Sequence, residues 1–189
     1  MAAEPLQLTP SQTVGPYFSI GMTWPDGAYV VPEGTRGAFW IRGRVYDGGR
    51  EPVPDAVVES WQADPEGRYH HPDDPRSESV GDWRGLARAP TDAEGGFAIH
   101  TVKPGPVPGP DGTTQAPHLA LSVFARGLLN RVVTRLYFAD EADLNAADPV
   151  LQGVPEARRD TLIAQPAAED GYRLEIRLQG EDETVFFAV

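Results

Sequence analysis

Three runs of residues in this chain carry side chains able to do chemistry. In Glu66-Gly67-Arg68-Tyr69-His70-His71 a phenol stands beside two imidazoles within a polar stretch. Phenolate is a hard anionic donor suited to Fe(III), and imidazole suits iron, copper and zinc alike. A polar loop equally leaves such histidines in solvent, with the tyrosine capping the core. Lys103-Pro104-Gly105-Pro106-Val107-Pro108 is a stiff turn that fixes the direction of the backbone. His118 then opens a run in which alternation puts His118, Ala120 and Ser122 on one face. A histidine at 120 would make a pair of imidazoles two residues apart. Alanine there leaves His118 solitary, a pattern that reads as a hydrogen-bonded structural histidine. No G-x-S-x-G elbow and no phosphate loop of the G-x-x-x-x-G-K type occurs.

The elements that must position these residues read as strands and turns. The 189 residues, with 20 Gly, 19 Pro and 40% apolar side chains, suit one domain of short strands rather than long helices. Strands are expected over 38–46, 57–63, 95–101, 118–125, 132–139, 172–180 and 184–189, with a polar loop from Asp64 to about Pro90. One short helix is expected over 155–164, with Pro155 near its first turn and Glu156 suiting the dipole. The fold class is therefore mainly β: a β-sandwich of about seven or eight short strands with long irregular loops. Residues 1–37 read as an arm. Pro10, Pro16, Pro25 and Pro32 block helix there, while Tyr17, Phe18, Ile20, Met22 and Trp24 give it too much apolar content for a disordered tail. Residues 38–189 form the sandwich domain.

Charge and composition exclude several classes. With 28 acidic against 16 basic residues the net charge is −12, the wrong sign for nucleic acid or an anionic membrane. There is no Cys, so disulfides and thiolate chemistry are out. The start of the chain lacks the pattern of a signal peptide, and no apolar run reaches about 18 residues. A cytoplasmic protein is expected.

The motifs, taken together and in order, resemble the intradiol ring-cleavage dioxygenases. The resemblance starts at Leu8-Thr9-Pro10-Ser11-Gln12-Thr13-Val14-Gly15-Pro16-Tyr17-Phe18. It continues through Gly43-Arg44-Val45-Tyr46-Asp47, Pro52 to Ala63, Gly67-Arg68-Tyr69 and Thr91 to Phe97. Lys103-Pro104-Gly105-Pro106 and His118 complete it. In catalytic members two Tyr and two His bind a ferric ion. Tyr69 matches the first Tyr and His118 the first His. Val107 stands at the second Tyr and Ala120 at the second His. An Arg carried three residues before the first His is Gln115 here.

The resemblance therefore implies an alpha-type chain with no metal site and no catalytic residue of its own, Tyr69 and His118 being vestigial. Its Fe(III) would be bound by a partner beta subunit, in alpha–beta pairs assembled into a larger oligomer. The reaction implied is O2-dependent cleavage of protocatechuate to 3-carboxy-cis,cis-muconate, in the beta-ketoadipate route. The arm would pack on the partner, with Thr13, Gly15, Pro16 and Tyr17 lining its pocket. Arg131 is the candidate for the substrate carboxylate, with Arg126 and Arg135 as competitors. Two rival readings stay open. One is a self-sufficient dioxygenase recruiting His70, His71 or His100 to an unusual iron site; the other is a non-catalytic β-sandwich binding module.

Overall fold

A computed structural model describes residues 8–13, 15, 17–167 and 171–188. Eight strands make one continuous order: β3 (Leu86–Pro90), β2 (Val57–Trp61), β7 (His118–Phe124), β8 (Val132–Phe138), β9 (Ile163–Ala167), β10 (Gly171–Arg177), β1 (Phe39–Tyr46) and β4 (Gly96–Thr101). Two-residue strands β5 (Val107–Pro108) and β6 (Thr114–Gln115) pair separately. The order folds into two layers because β9 belongs to both. Its first residues run parallel to Tyr137 and Phe138, and its last run antiparallel to Tyr172 and Arg173. The β-sandwich expectation holds.

Period-two alternation decides what faces inward. Ile41, Val45, Phe97, Ile99, Leu174 and Ile176 of one layer enter a common core with Val58, Leu119, Leu121, Val123, Leu136 and Phe138 of the other. The same alternation throws Trp61, His118, Ala120, Arg135 and Tyr137 onto the opposite face of the second layer. After the arm's short helix α1 (Phe18–Gly21), later helical segments cover part of that face: α2 (Ala142–Ala147), α3 (Pro149–Gln152) and α4 (Glu156–Arg159). A smaller core of Ala116, Tyr137, Leu151, Val154 and Leu162 lies beneath them.

The edges β3 and β4 are left without a strand between them, and the chain's own arm fills the gap. The Arg88 and His100 amides donate to the carbonyls of Gly27 and Ala28 at 2.7 and 2.9 Å, and the Val30 amide returns a bond to His100. Trp24 lies under the guanidiniums of Arg84 and Arg88, and Arg84 also donates to the Tyr29 carbonyl. Unpaired edges invite association with other chains; here 27–30 occupy them. The later arm thus packs on its own domain.

Three local expectations change. The last residues of the expected 64–90 loop form strand β3, whose Ala-rich sequence gives no alternation signal and whose identity comes from pairing with β2. The expected helix over 155–164 is α4 followed by the 3-10 turn Asp160–Leu162, after which the backbone extends into β9. The expected last strand makes only the bridge Val133 to Phe187, and Val189 lies outside the described residues.

Candidate functional site

Loop 64–79 carries Tyr69, and two buried carboxylates build it. Asp64 accepts from the backbone amides of Glu66 and Arg68 and from Arg68 Nε. Asp74 accepts from the Tyr69 amide at 2.9 Å and from the Arg76 guanidinium, which holds its carboxyl well below the usual range. The loop is then pressed onto the Lys103–Pro108 turn. Gly67, at φ +73°, leaves room for the Pro106 carbonyl 2.0 Å from where a Cβ would stand. Gly105 likewise leaves room for the Pro65 carbonyl. Two backbones meet where no side chain fits, and this sets Tyr69 beside Val107. Tyr69 stacks on Trp61 with ring centroids 6.1 Å apart, and burial raises its phenol above the ordinary value. Trp61, Tyr69, Pro75, Arg76, Val107 and Pro108 are among the walls of a cavity of about 490 Å³.

His118 enters from β7. Its Nδ1 bonds the Ala116 carbonyl at 2.7 Å, so Nδ1 carries the proton and Nε2 is the acceptor. Burial, helped by the charge of Arg135, lowers its pKa to about 4, and the ring is neutral. Asp148, fully buried, organises the floor. It caps α3 by accepting from Val150 and Leu151, and also accepts from the Ala116 amide and the Tyr137 hydroxyl. Burial pushes the Tyr137 phenol up to about 12, so it is neutral.

Arg135 joins these parts. It sits on β8 directly opposite Ala120. Its Nη1 donates to Gln115 Oε1 at 2.6 Å and to the Tyr137 hydroxyl at 3.3 Å. Its charge also acts on Tyr69 and His118. A fixed cation therefore lies on the same sheet face as His118 and acts on Tyr69, the two residues that the resemblance matches to metal ligands. Positions 107 and 120 offer only a buried isopropyl group and a methyl group. Among the described residues no group of three or more His, Asp or Glu side chains is placed to hold an ion. These residues do not fit a ferric ion.

Of the other histidines, His71 lines the same cavity as Tyr69 and Val107, while His70 and His100 bond elsewhere. His70 Nδ1 pairs with the Trp83 carbonyl, and His71 is exposed beside Asp73. His100 is buried against Tyr29 and Trp40, its Nδ1 on the Val31 carbonyl. The Gly15 amide donates to Thr13 Oγ1, Gly15 has φ +72°, and Tyr17 is 77% exposed. Pro16 lies outside the described residues. Arg131 is exposed at a separate cavity of about 190 Å³ with Phe124, Leu128 and Leu129. Sequence reading missed Tyr137 and Asp148, and weighed Arg135 only as a carboxylate ligand. Val132–Phe138 reads as a plain strand; only the register, which sets Arg135 against Ala120, gives those residues a site.

Comparison with known proteins agrees with the frame. Residues 14–180 match the protein family described as dioxygenase. The protocatechuate 3,4-dioxygenase alpha chain of Burkholderia cepacia is 41% identical over 200 residues, covering 97% of this chain and 98% of that one. The chain belongs to the intradiol ring-cleaving dioxygenase family. The beta chain from the same organism is 38% identical over 154 residues, covering 76% of this chain and 65% of that one. In fold, the dioxygenase domain of a carbohydrate-binding fusion protein from Streptomyces sp. SirexAA-E superposes with a TM-score of 0.57. It is 22% identical and covers 92% of this chain and 99% of that domain.

Proposed function

We propose that this chain is the alpha-type subunit of a protocatechuate 3,4-dioxygenase, paired with a beta-type chain whose pocket holds the Fe(III). The complex would cleave protocatechuate with O2 to 3-carboxy-cis,cis-muconate, in the cytoplasm. The observation that carries this reading is the guanidinium of Arg135 lying opposite Ala120 in a frame that keeps Tyr69 and His118 but lacks the other two ligands, in a chain similar over nearly its full length to an alpha chain. The chain's own residues contribute shape and orientation, which govern rate through positioning.

Thr13, Gly15, Pro16 and Tyr17 are proposed to line the partner's pocket, and the arm before Met22 to pack on that partner. Tyr17 and Ile20, both largely exposed, supply contact area there. Arg131 is proposed to meet the substrate carboxylate. Arg126 is ion-paired with Asp55 at 3.0 Å, and Arg135 is held inside the chain. Arg131→Ala is expected to raise KM for protocatechuate more than for catechol, which lacks the carboxylate. An equal effect on both substrates removes Arg131 from the role, and a selective effect of Arg126→Ala transfers it to Arg126.

Expression with and without a beta-type chain tests the main reading. Iron and protocatechuate-dependent oxygen uptake are expected only in the co-purified complex. Iron and turnover in the isolated chain would overturn it.

A further inference from the structure

We propose that Arg135 stands in the place of the metal ion in this chain. Its guanidinium is the internal cation around which Tyr69, His118, Gln115 and Tyr137 are arranged, and it keeps iron out. The proposal deepens the reading that this chain holds no iron, and rests on it.

Three positions make the argument, and each is consistent with a cation at 135. Ala120 faces Arg135 directly across the β7–β8 pair, where opposed Cβ atoms lie about 5 Å apart. A methyl group lets the guanidinium lie across the strand to Gln115 and Tyr137. An imidazole at 120 would claim the same space. Gln115 accepts from Arg135 through Oε1. An arginine at 115 would instead set two guanidiniums against each other. Val107 is buried in the cavity wall beside Tyr69 and brings no anion that would pull the guanidinium out of place.

The histidine nearest to this arrangement keeps the support that a metal ligand has. His118 donates from Nδ1 to a backbone carbonyl and keeps Nε2 as the acceptor, the arrangement usual for a ligating histidine. The Ala116 residue that receives this bond is itself fixed by Asp148. The support shell of a metal site is thus present, with an organic cation inside it. Loss of ligands alone does not describe this site, because the charge has been replaced as well.

The test uses the full-length chain in three forms: unaltered, Val107→Tyr with Ala120→His, and the same pair with Arg135→Gln. Each is loaded with ferrous ion in air and desalted, then read for bound iron and for visible tyrosinate-to-iron absorption. The triple variant is expected to retain at least about tenfold more iron than the other two forms, which stay near background. Iron and colour in the double variant, with Arg135 present, would overturn the role of Arg135 alone. A folded triple variant without iron would overturn it too. Iron in the unaltered chain would instead overturn the reading of the previous section. If the triple variant does not fold, a thermodynamic cycle decides. The fall in melting temperature caused by Ala120→His should be at least halved in an Arg135→Gln background. Equal falls in both backgrounds refute a shared site.

Discussion

Around Arg135, several polar groups find partners within the chain: Gln115 and Tyr137 on the guanidinium, Asp148 on Tyr137, His118 on Ala116. The early arm is the reverse. Tyr17 and Ile20 are 77% and 74% exposed. The described part of the arm before Met22 is bonded mainly to itself, through the Thr13–Gly15 turn and the short helix Phe18–Gly21. Both regions carry family motifs, yet one has been closed by the chain's own cation and the other left open. In the closed region His118 serves as a hydrogen-bonded, buried structural residue. Under the proposed function, Tyr17 and Ile20 are left exposed for a partner.

The closed region should break most severely at Asp148. Asp148→Ala leaves the Ala116 amide, two helix N–H groups and the Tyr137 hydroxyl without their acceptor. A loss of about 4 kcal/mol is expected from the unfolding midpoint in urea. Gly67→Ala is expected to cost about 3 kcal/mol, because a Cβ at φ +73° meets the Pro106 carbonyl and must displace the Tyr69 loop. The same urea titration reads it, and a cost under 1 kcal/mol would mean that the two loops separate freely.

The open region should behave in the opposite manner. Tyr17→Ala is expected to leave the stability of the chain within about 0.5 kcal/mol. It should weaken binding to a beta-type partner by about 2 kcal/mol, roughly 30-fold in Kd by titration calorimetry. A loss of stability with unchanged Kd would reverse the contrast.

The last effect is a slope with pH. His118 has a folded pKa of about 4 against an ordinary value of 6.5. Between those values the unfolded chain takes up a proton that the folded one refuses. Stability is therefore full above about pH 6.5 and falls toward pH 4, by up to about 1.4 kcal/mol per pH unit. Arg135, Tyr137 and Asp148 are the charged or titratable groups that face the ring. His118→Gln should remove that contribution, measured as urea midpoints across the range.

Much of the fold was legible because alternation is a local property. Strands such as Phe39–Tyr46 and His118–Phe124 announce themselves by which residues are apolar. Leu86–Pro90 did not, because its small residues become a strand only through pairing with Val57–Trp61. The helix expected from Pro155 stopped early because the chain is drawn into β9, which both layers need.

The sequence by itself determined the family, through ordered motifs from Leu8 to His118, and determined that positions 107 and 120 bring no donor atom. Tertiary structure alone decided what took the metal's place. Arg135 lies 17 residues beyond His118 along the chain, and only the antiparallel register of β7 and β8 sets it opposite Ala120. It also decided that residues 27–30 seal this chain's own sheet edges. The physical reason is the same in both cases. Side-chain type and spacing are written along the chain, whereas the partner of a guanidinium or of an open strand edge is fixed only when distant segments meet.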